Sequence, residues 1–223
     1  ARLITLTEMF ATGFSMRPEK IADDEGGPRS PFILEQADAH GAYVIASIAQ
    51  RGPDGAYRNN AVLAGPDGSV HRYAKIHPFS FAGEHEHYAA GDRHVTVEVD
   101  DLRVTLFVCY DLRFADEFWT CAPGTDLYVV PANWPQARRL HWQALLRARA
   151  IENQAYVCGV NRVGTAKATP YAGDSVLLDP LGDVLAEAGD EEAVLLADMT
   201  RATVSAVREQ FPFLVDRAPV RGS

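Results

Sequence analysis

The chain has 223 residues, of which 47% are hydrophobic and 23% are charged, so it can bury a sizeable core in one large domain or two small ones. Its 21 basic and 30 acidic side chains give a net charge of −9, which argues against a nucleic-acid partner because neutralising phosphates requires a basic face. No apolar run approaches the roughly 20 residues of a transmembrane helix, and the opening residues ARLITLTEMF lack the pattern of a secretory signal. We therefore expect no membrane partner.

The first third of the chain predicts a strand, a helix and then three further strands. The predicted strands are residues 3–6, residues 42–51 and the two arms of a hairpin at 58–77 that turns across GPDGS. Residues 30–41 predict a helix with Ser30 as its N-cap, Pro31 at its first position and Gly41 as its stop.

The rest of the chain continues this alternation. The predicted strands are a pair within 95–109, then 126–133, 156–164, and a hairpin plus one more strand within 173–199. Residues 136–155 give the clearest helical pattern of the chain. Strands outnumber helices, yet helices fall between several of them, so a layered α/β sheet is favoured over an all-β sandwich. No internal repeat or linker interrupts the chain, which indicates a single domain over residues 1–223.

The cysteines raise the first question about chemistry. Cys109, Cys121 and Cys158 form neither a CxxC pair nor an even disulfide framework, so we expect a reduced, cytoplasmic protein. Cys109, in FVCYDLRF, lies at the carboxyl end of a predicted strand, where α/β sheets usually carry ligand sites. It is either a buried core thiol or a nucleophile. A nucleophile requires a base or a cation beside it, because a free thiol has a pKa of about 8.5.

Two other ionisable residues also lie at the downstream ends of predicted strands, since Glu8 follows the opening strand and Lys75 ends the second arm of the hairpin. Each has an ordinary interpretation, Glu8 as an exposed or capping acid and Lys75 as a charged guard on an edge strand. Together with Cys109 they form the pattern of an active site along one edge of a sheet. Glu8 would take the thiol proton, while Lys75 and the backbone N–H of Tyr110 would stabilise an oxyanion.

The segment GEHEHYAAGD, residues 83–92, suggests a metal site as an alternative. His85 and His87 share one face only if this segment is a strand, and its surroundings are typical of a loop. No third or fourth ligand lies at a suitable spacing. We therefore expect no metal.

Five segments resemble, in order and over nearly the whole chain, the signature blocks of the nitrilase (carbon–nitrogen hydrolase) superfamily. They are TEMFATGFSM, YAKIHPF, GEHEHYAAGD, VCYDLRF and ANWPQARRLHWQALLRARAIENQAYVCGVNRVG. The last block, together with GEHEHY, is similar to the ω-amidase (2-oxoglutaramate amidase) branch, which includes the YafV-like bacterial proteins. The resemblance implies a four-layer αββα sandwich and a homodimer or higher homo-oligomer.

The resemblance also implies a catalytic Glu–Lys–Cys set. By motif this set falls on Glu8 as general base, Lys75 as transition-state stabiliser and Cys109 as nucleophile. A second glutamate of the family, which would hold the lysine and the departing group, matches Glu84. Glu86 is the nearby alternative.

The chain departs from the family pattern in two places near its start. The family usually has a strand and a long helix before the block of the first glutamate, which stands here at residue 8. We therefore expect the chain to lack that first strand and helix, which would expose an edge of the sheet and affect its activity. Thr7 stands where the family generally has proline, a change expected to alter local rigidity more than chemistry.

The reaction implied by the resemblance is hydrolysis of a small terminal amide through a cysteine thioester, with no metal or organic cofactor. The implied substrates are ω-amides of 2-oxo dicarboxylates, such as 2-oxoglutaramate and 2-oxosuccinamate. Arg113 is the candidate partner for the substrate carboxylate, or else it forms a structural ion pair with Asp111 or Asp116. The further candidates for the pocket are Phe81, Phe10, Tyr110, Trp134 and Asn133.

Two rival functions remain open. One is another hydrolase of the same superfamily, such as an aliphatic amidase, a nitrilase or an N-carbamoyl amidase, which its products would identify. The other is a non-catalytic binding protein. The complete Glu–Lys–Cys set argues against a binding protein, since a decayed site is expected to have lost at least one member.

Overall fold

The computed structural model describes residues 2–24, 27 and 29–217. The strands are β1 Leu3–Thr5, β2 Asp23–Asp24, β3 Tyr43–Arg51, β4 Tyr57–Ala64, β5 Val70–Ala74, β6 Thr96–Val99, β7 Leu102–Leu106, β8 Leu127–Ala132, β9 Tyr156–Asn161, β10 Val163–Ala166, β11 Thr169–Ala172, β12 Val176–Leu178 and β13 Val184–Glu187. The helices are α1 Pro18–Ile21, α2 Arg29–His40, α3 Ala115–Cys121, α4 Arg139–Asn153 and α5 Arg201–Gln210.

The strands form two large mixed sheets and one hairpin. In the first sheet, β1 and β2 run parallel to β3, while β3, β4 and β5 are antiparallel neighbours. The second sheet has the order β13-β12-β9-β8-β7-β6, with β7, β8 and β9 parallel to one another. Strands β10 and β11 pair only with each other.

The first sheet is apolar on both faces. Successive side chains of a strand point to opposite faces, and in β3 Ile45 enters a core that also contains Val129 from the second sheet. Val44 and Ala46 enter a separate core with Ile33 of α2. The first sheet is therefore covered by α2 on one face and by the second sheet on the other.

Helix α4 covers the outer face of the second sheet. Trp142 and Leu146 are buried there against β9. The contact depends on Gly159, because a Cβ atom at this position would lie 2.5 Å from Leu146 Cδ1 and 3.0 Å from the Trp142 ring. The layers thus run helix, sheet, sheet, helix, and the predicted α/β sandwich is confirmed.

The helix predicted at 30–41 is present but begins one residue earlier. Ser30 lies inside the first turn of α2, and its hydroxyl accepts a hydrogen bond from Gln50 Nε2 at 3.0 Å rather than capping the helix. Gly41 follows the helix in the left-handed conformation, with φ +55°, as expected for a glycine stop.

The additional strand predicted after the hairpin of β12 and β13 was wrong. Residues 193–199 form no strand, and Val194 and Leu196 are 86% and 73% exposed. Strand preference depends on a pairing partner and on burial, and no described strand pairs with this apolar run. The short helix α3 and helix α5 were absent from the sequence-based prediction. Within the described ranges no helix is both long and apolar enough to cross a membrane.

Candidate active site

Three ionisable side chains meet where the ends of β1 and β5 approach a short 3₁₀ turn, Glu84–Glu86. The Nζ atom of Lys75 donates to Glu84 Oε2 at 2.8 Å and to Glu8 Oε1 at 3.2 Å. The Lys75 side chain is 2% exposed and both carboxylates are fully buried. Of the two glutamates considered for the second acidic position, Glu84 belongs to this cluster, whereas Glu86 is exposed.

The buried cluster keeps its lysine charged. Burial alone lowers the pKa of Lys75, but the negative charges of Glu8 and Glu84 outweigh it and raise that pKa above its ordinary value. The ammonium therefore persists throughout the neutral range. It is a fixed positive charge in a site of low polarity, where an electrostatic contact is stronger than in water.

Asn59 of β4 connects the two glutamates, and the sequence analysis did not identify it. Its Nδ2 atom donates to Glu8 Oε1 at 2.8 Å and to Glu84 Oε1 at 3.2 Å. Its Oδ1 atom accepts the Ser47 hydroxyl at 2.6 Å. The available sequence signal was a strongly polar pair, Asn59 and Asn60, inside a strand whose other residues are mostly apolar.

Asn133 fixes Glu8 from the opposite side. This residue directly follows β8, and it was expected to line the substrate pocket. Its backbone N–H donates to Glu8 Oε2 at 2.8 Å, and its Nδ2 atom donates to the Glu8 carbonyl at 2.7 Å. The structure therefore places Asn133 against the carboxylate, with its amide group used to hold Glu8.

Cys109 begins a 3₁₀ turn, Cys109–Arg113, three residues beyond the end of β7. Its φ angle is +48°, in the left-handed region that non-glycine residues seldom occupy and that marks functional sites. The residue is partly exposed. Its sulfur interacts electrostatically with Glu8, Lys75 and Glu84, so the turn delivers the thiol to the buried cluster.

The Cys109 thiol is protonated at rest. Burial and the Glu8 carboxylate raise its pKa well above the ordinary value, and the Lys75 ammonium opposes them. Burial also raises the pKa values of Cys121 and Cys158 to about 12. Since only a thiolate is an effective nucleophile, the catalytic attack of Cys109 at neutral pH requires a base that takes the thiol proton, and Glu8 is the carboxylate beside it.

Arg113 ends the 3₁₀ turn that begins at Cys109, and it has no acidic partner among the described residues. Its guanidinium lies 4.8 Å from the Trp134 ring centre and 3.1 Å from His141 Nδ1. No ion pair joins it to a carboxylate in the part of the chain that the structure describes. The structural pair considered with Asp111 is therefore absent, because that carboxylate is occupied by three other donors.

A second arginine, Arg138, was missed by the sequence analysis. Its guanidinium lies 5.3 Å from the Phe79 ring centre, and its positive charge lowers the pKa of Arg113, although burial contributes more to that shift. Arg138 forms no ion pair with any carboxylate that the structure describes. Two arginines without acidic partners among the described residues thus lie close to each other, and one of them, Arg113, interacts electrostatically with Cys109.

The aromatic residues proposed for the pocket occupy different environments. The Tyr110 ring lies 4.8 Å from that of Phe79, next to the thiol. Trp134 is buried, and its Nε1 atom donates to the Arg138 carbonyl at 2.9 Å. Phe81 is 85% exposed, and Phe10 stacks on Phe32 at 5.9 Å.

The histidines of residues 83–92 are exposed and lie in or next to the 3₁₀ turn. Because this segment is not a strand, His85 and His87 do not share a strand face. Among the described residues no group of three or more His, Cys, Asp or Glu side chains could hold a metal ion.

A family model and the sequences of known proteins relate the chain to the same family. The family model described as carbon–nitrogen hydrolase matches residues 1–209. The chain is 44% identical over 217 residues to the omega-amidase YafV of Yersinia enterocolitica, covering 96% of this chain and 83% of that protein. It is 33% identical over 222 residues to the 2-oxoglutaramate amidase of Bacillus subtilis, covering 97% of this chain and 85% of that protein.

The fold is shared with solved structures. XC1258 from Xanthomonas campestris, described as a CN-hydrolase superfamily protein with an arsenic adduct in its active site, superimposes with a TM-score of 0.94 at 38% identity. The match covers 100% of this chain and 87% of that one. By its sequence, its fold and the relatives that cover most of its length, the chain belongs to the carbon–nitrogen hydrolase family and is an enzyme of that class.

Proposed function

We propose that this enzyme hydrolyses the terminal amide of a 2-oxo dicarboxylate, such as 2-oxoglutaramate or 2-oxosuccinamate, through a thioester on Cys109. The observation that carries the proposal is the buried contact of Lys75 with both Glu8 and Glu84 beside a protonated thiol. This arrangement supplies a nucleophile, a base and a fixed positive charge at one point.

In the first step, Glu8 accepts the proton of the Cys109 thiol while the sulfur attacks the amide carbonyl carbon. The oxygen becomes an oxyanion, which the Lys75 ammonium and the Tyr110 backbone N–H stabilise. The tetrahedral intermediate then collapses. Glu8 returns its proton to the departing nitrogen, ammonia leaves and a thioester remains.

In the second step, Glu8 takes a proton from a water molecule, and the resulting hydroxide attacks the thioester carbonyl. The carbon–sulfur bond breaks, the carboxylic acid product leaves, and the thiolate recovers its proton. Glu84 holds the Lys75 ammonium through the 2.8 Å hydrogen bond, so the positive charge stays in place through both steps. None of these steps uses a metal or an organic cofactor.

The substrate assignment is supported by two arginines. A 2-oxo dicarboxylate monoamide carries a carboxylate at the end opposite to its amide, and this carboxylate requires a cationic partner. Arg113 interacts electrostatically with Cys109, Arg138 lies near Arg113, and neither has an acidic partner among the described residues. The names of the relatives, omega-amidase and 2-oxoglutaramate amidase, agree with this choice. Phe81, Trp134 and Asn133 complete the proposed surroundings of the substrate.

The proposal also includes the form of the protein. The family model covers residues 1–209 without interruption, which supports a single domain over residues 1–223. A homodimer is proposed from the resemblance to the family. A cytoplasmic location is proposed because Cys109, Cys121 and Cys158 are free thiols.

The decisive experiment measures ammonia release from 2-oxoglutaramate, glutamine and a simple nitrile by the enzyme and by its Cys109→Ala variant. We expect rapid release from the 2-oxo amide, slow or no release from the other two, and none with the variant. Release mainly from the nitrile would instead assign another hydrolase of the superfamily. No release from any of the three would contradict the proposed substrate.

A further inference from the structure

Asp111 closes the turn that carries the nucleophile. Its side chain is fully buried, and its Oδ2 atom accepts the Val108 N–H at 2.9 Å. Its own N–H donates to the Val108 carbonyl at 3.1 Å. These two hydrogen bonds join the residues on either side of Cys109, whose φ angle is +48°. A non-glycine residue persists in this strained region only where its surroundings enforce it.

The same carboxylate reaches the chain on both sides of Lys75. Its Oδ1 atom accepts the His77 N–H at 2.9 Å, and its Oδ2 atom accepts the Tyr73 hydroxyl at 2.8 Å. Tyr73 and His77 stand two residues before and two residues after Lys75. The buried side chain of Asp111 is thus hydrogen-bonded to the turn of Cys109 and to residues on both sides of Lys75.

We propose that Asp111 is a positioning residue that sets the Cys109 sulfur against the Lys75 ammonium. This inference rests on the proposed function, in which the sulfur attacks a carbonyl carbon while the ammonium stabilises the oxygen of the same group. The two must therefore keep a fixed relation to each other. A misplacement of about 1 Å in such an arrangement lowers the rate about 10²-fold.

An ionised carboxylate is the group that suits this position. It accepts hydrogen bonds at both oxygens and donates none, and the three neighbours of Asp111 are all donors. Burial raises the pKa of Asp111 to about 6, against the opposing effects of the Lys75 charge and of these hydrogen bonds. Asp111 is therefore charged at neutral pH and satisfies all three donors at once.

The test is the Asp111→Asn variant, which keeps the shape of the side chain. One orientation of the amide turns an NH₂ group towards the Val108 N–H and the other turns it towards the His77 N–H, so one of the two connections breaks. For 2-oxoglutaramate we expect kcat to fall about 10²-fold with KM within about twofold of the wild-type value. Circular dichroism and thermal unfolding establish that the variant is folded.

A second readout does not need a substrate. The positive charge of Lys75 lowers the pKa of the Cys109 thiol, so a looser relation between the two makes the thiol less reactive. We expect iodoacetamide to alkylate Cys109 more slowly in Asp111→Asn than in the wild-type protein at the same pH. The reference is the alkylation rate of Cys121, whose partly buried thiol lies outside the cluster.

A matched pair of tyrosine variants covers the case in which Asp111→Asn does not fold. Tyr73 and Tyr128 are both fully buried, and each hydroxyl donates one hydrogen bond of 2.8 Å, to Asp111 and to the Phe118 carbonyl respectively. Replacing either by Phe removes this donated bond, and Tyr73→Phe also removes the longer bond that the Tyr73 hydroxyl accepts from the Ile76 N–H at 3.4 Å. We expect similar losses of melting temperature, but a kcat lower by about three- to tenfold only in Tyr73→Phe.

The inference is overturned if folded Asp111→Asn keeps kcat and the alkylation rate within about twofold of the wild-type values. It is also overturned if Tyr73→Phe and Tyr128→Phe change kcat equally, since Asp111 would then act only on stability. A wild-type enzyme without activity on 2-oxoglutaramate would contradict the proposed substrate instead. The alkylation rates would still decide the role of Asp111.

Discussion

The Nδ2 atom of Asn59 donates to Glu8 Oε1 at 2.8 Å and thereby connects the middle of β4 to the loop after β1. The same atom lies 3.2 Å from Glu84 Oε1. A primary amide provides both donors without adding a charge. It therefore joins the two buried carboxylates without adding a second positive charge to that of Lys75.

The Asn59→Ala variant is expected to lose activity and stability together. Glu8 and Glu84 would each lose a donor inside the protein, and an unsatisfied buried group costs about 1–3 kcal/mol. We expect the free energy of unfolding to fall by about that amount and kcat to fall about 10- to 100-fold, because Glu8 loses part of its fixed orientation. Urea unfolding and steady-state kinetics on 2-oxoglutaramate measure the two effects.

The control for this variant is Asn60→Ala, at the next residue of the same strand. Asn60 donates to Gln50 Oε1 at 3.0 Å and contacts neither carboxylate. We expect kcat to remain close to the wild-type value. If Asn60→Ala and Asn59→Ala lower kcat to the same extent, Asn59 acts through the strand and not through Glu8.

The Glu8→Gln variant separates the base from its electrostatic effect on the thiol. Without the base, hydrolysis is expected to fall about 10²- to 10⁴-fold. The Glu8 charge also raises the pKa of Cys109, so its removal lowers that pKa. At a given pH between 7 and 9 a larger fraction of the thiol is then ionised, and alkylation of Cys109 by iodoacetamide should be faster although catalysis is lost.

The measurement follows alkylation of each cysteine by mass spectrometry as a function of pH. In the wild-type protein the Cys109 rate should still rise through pH 9, because its pKa lies well above the ordinary value. In Glu8→Gln the curve should shift to lower pH, while that of Cys158, whose pKa is raised to about 12 by burial, should not move. An unshifted Cys109 curve would show that Glu8 does not act on the sulfur.

The layers of the fold follow from local patterns in the sequence. Helical and alternating apolar segments succeed each other, and this succession predicts packed sheets and helices. The segment at 193–199 shows the limit of such reasoning, because its apolar residues favour a strand but pair with no described neighbour. Whether a strand forms depends on a partner elsewhere in the chain, which local propensity does not contain.

The residues of the candidate site could also be predicted only in part. Glu8, Lys75, Glu84 and Cys109 were identified from motifs, and three of them meet in direct contact. The role of Asn59 was missed because its partner Glu8 is distant in sequence and the contact exists only after the strands pair. The left-handed turn at Cys109 was missed for a related reason. The predicted strand ran through Cys109, whereas in the structure this residue lies in a turn that Asp111 closes by its hydrogen bonds with Val108.

Asp126 should determine how firmly α5 is attached to the second sheet. The carboxylate is fully buried and accepts hydrogen bonds from Arg103 at 2.7 and 2.9 Å and from Arg201 of α5 at 3.1 Å. We expect Asp126→Ala to lower the free energy of unfolding by about 2–3 kcal/mol, since both arginines are partly exposed and can turn to water. Urea denaturation measures the loss.

The pH dependence of this contribution has a defined sign. Burial raises the pKa of Asp126, but the hydrogen bonds from Arg103 and the two positive charges outweigh it and hold that pKa below its ordinary value. The stabilisation is therefore present above the unfolded pKa of about 3.9 and is lost as the pH falls through the lower folded value. The control for Asp126→Ala is Asp54→Ala, which removes an exposed carboxylate paired with Arg58. At neutral pH this control should leave the midpoint of urea unfolding nearly unchanged.

Arg113 and Arg138 should determine selection of the substrate carboxylate. Arg138 and Arg139 are neighbours in the chain, but only Arg139 has an acidic partner, Asp174, at 2.6 Å. We expect Arg113→Ala and Arg138→Ala each to raise KM for 2-oxoglutaramate about tenfold or more, because a charge-assisted hydrogen bond contributes about 1.5–3 kcal/mol. Arg139→Ala removes the same charge and should leave KM within about twofold.

The same variants assayed on a neutral amide distinguish binding of the carboxylate from a general effect on the site. With a small amide that has no carboxylate, Arg113→Ala and Arg138→Ala should have nearly the wild-type kcat/KM, because the interaction they remove is absent from the substrate. Equal losses on the charged and the neutral amide would mean that the arginines support the turn of Cys109 and do not contact the substrate. In that case the carboxylate of the substrate must be bound elsewhere, and the choice of a 2-oxo dicarboxylate monoamide would lose its structural support.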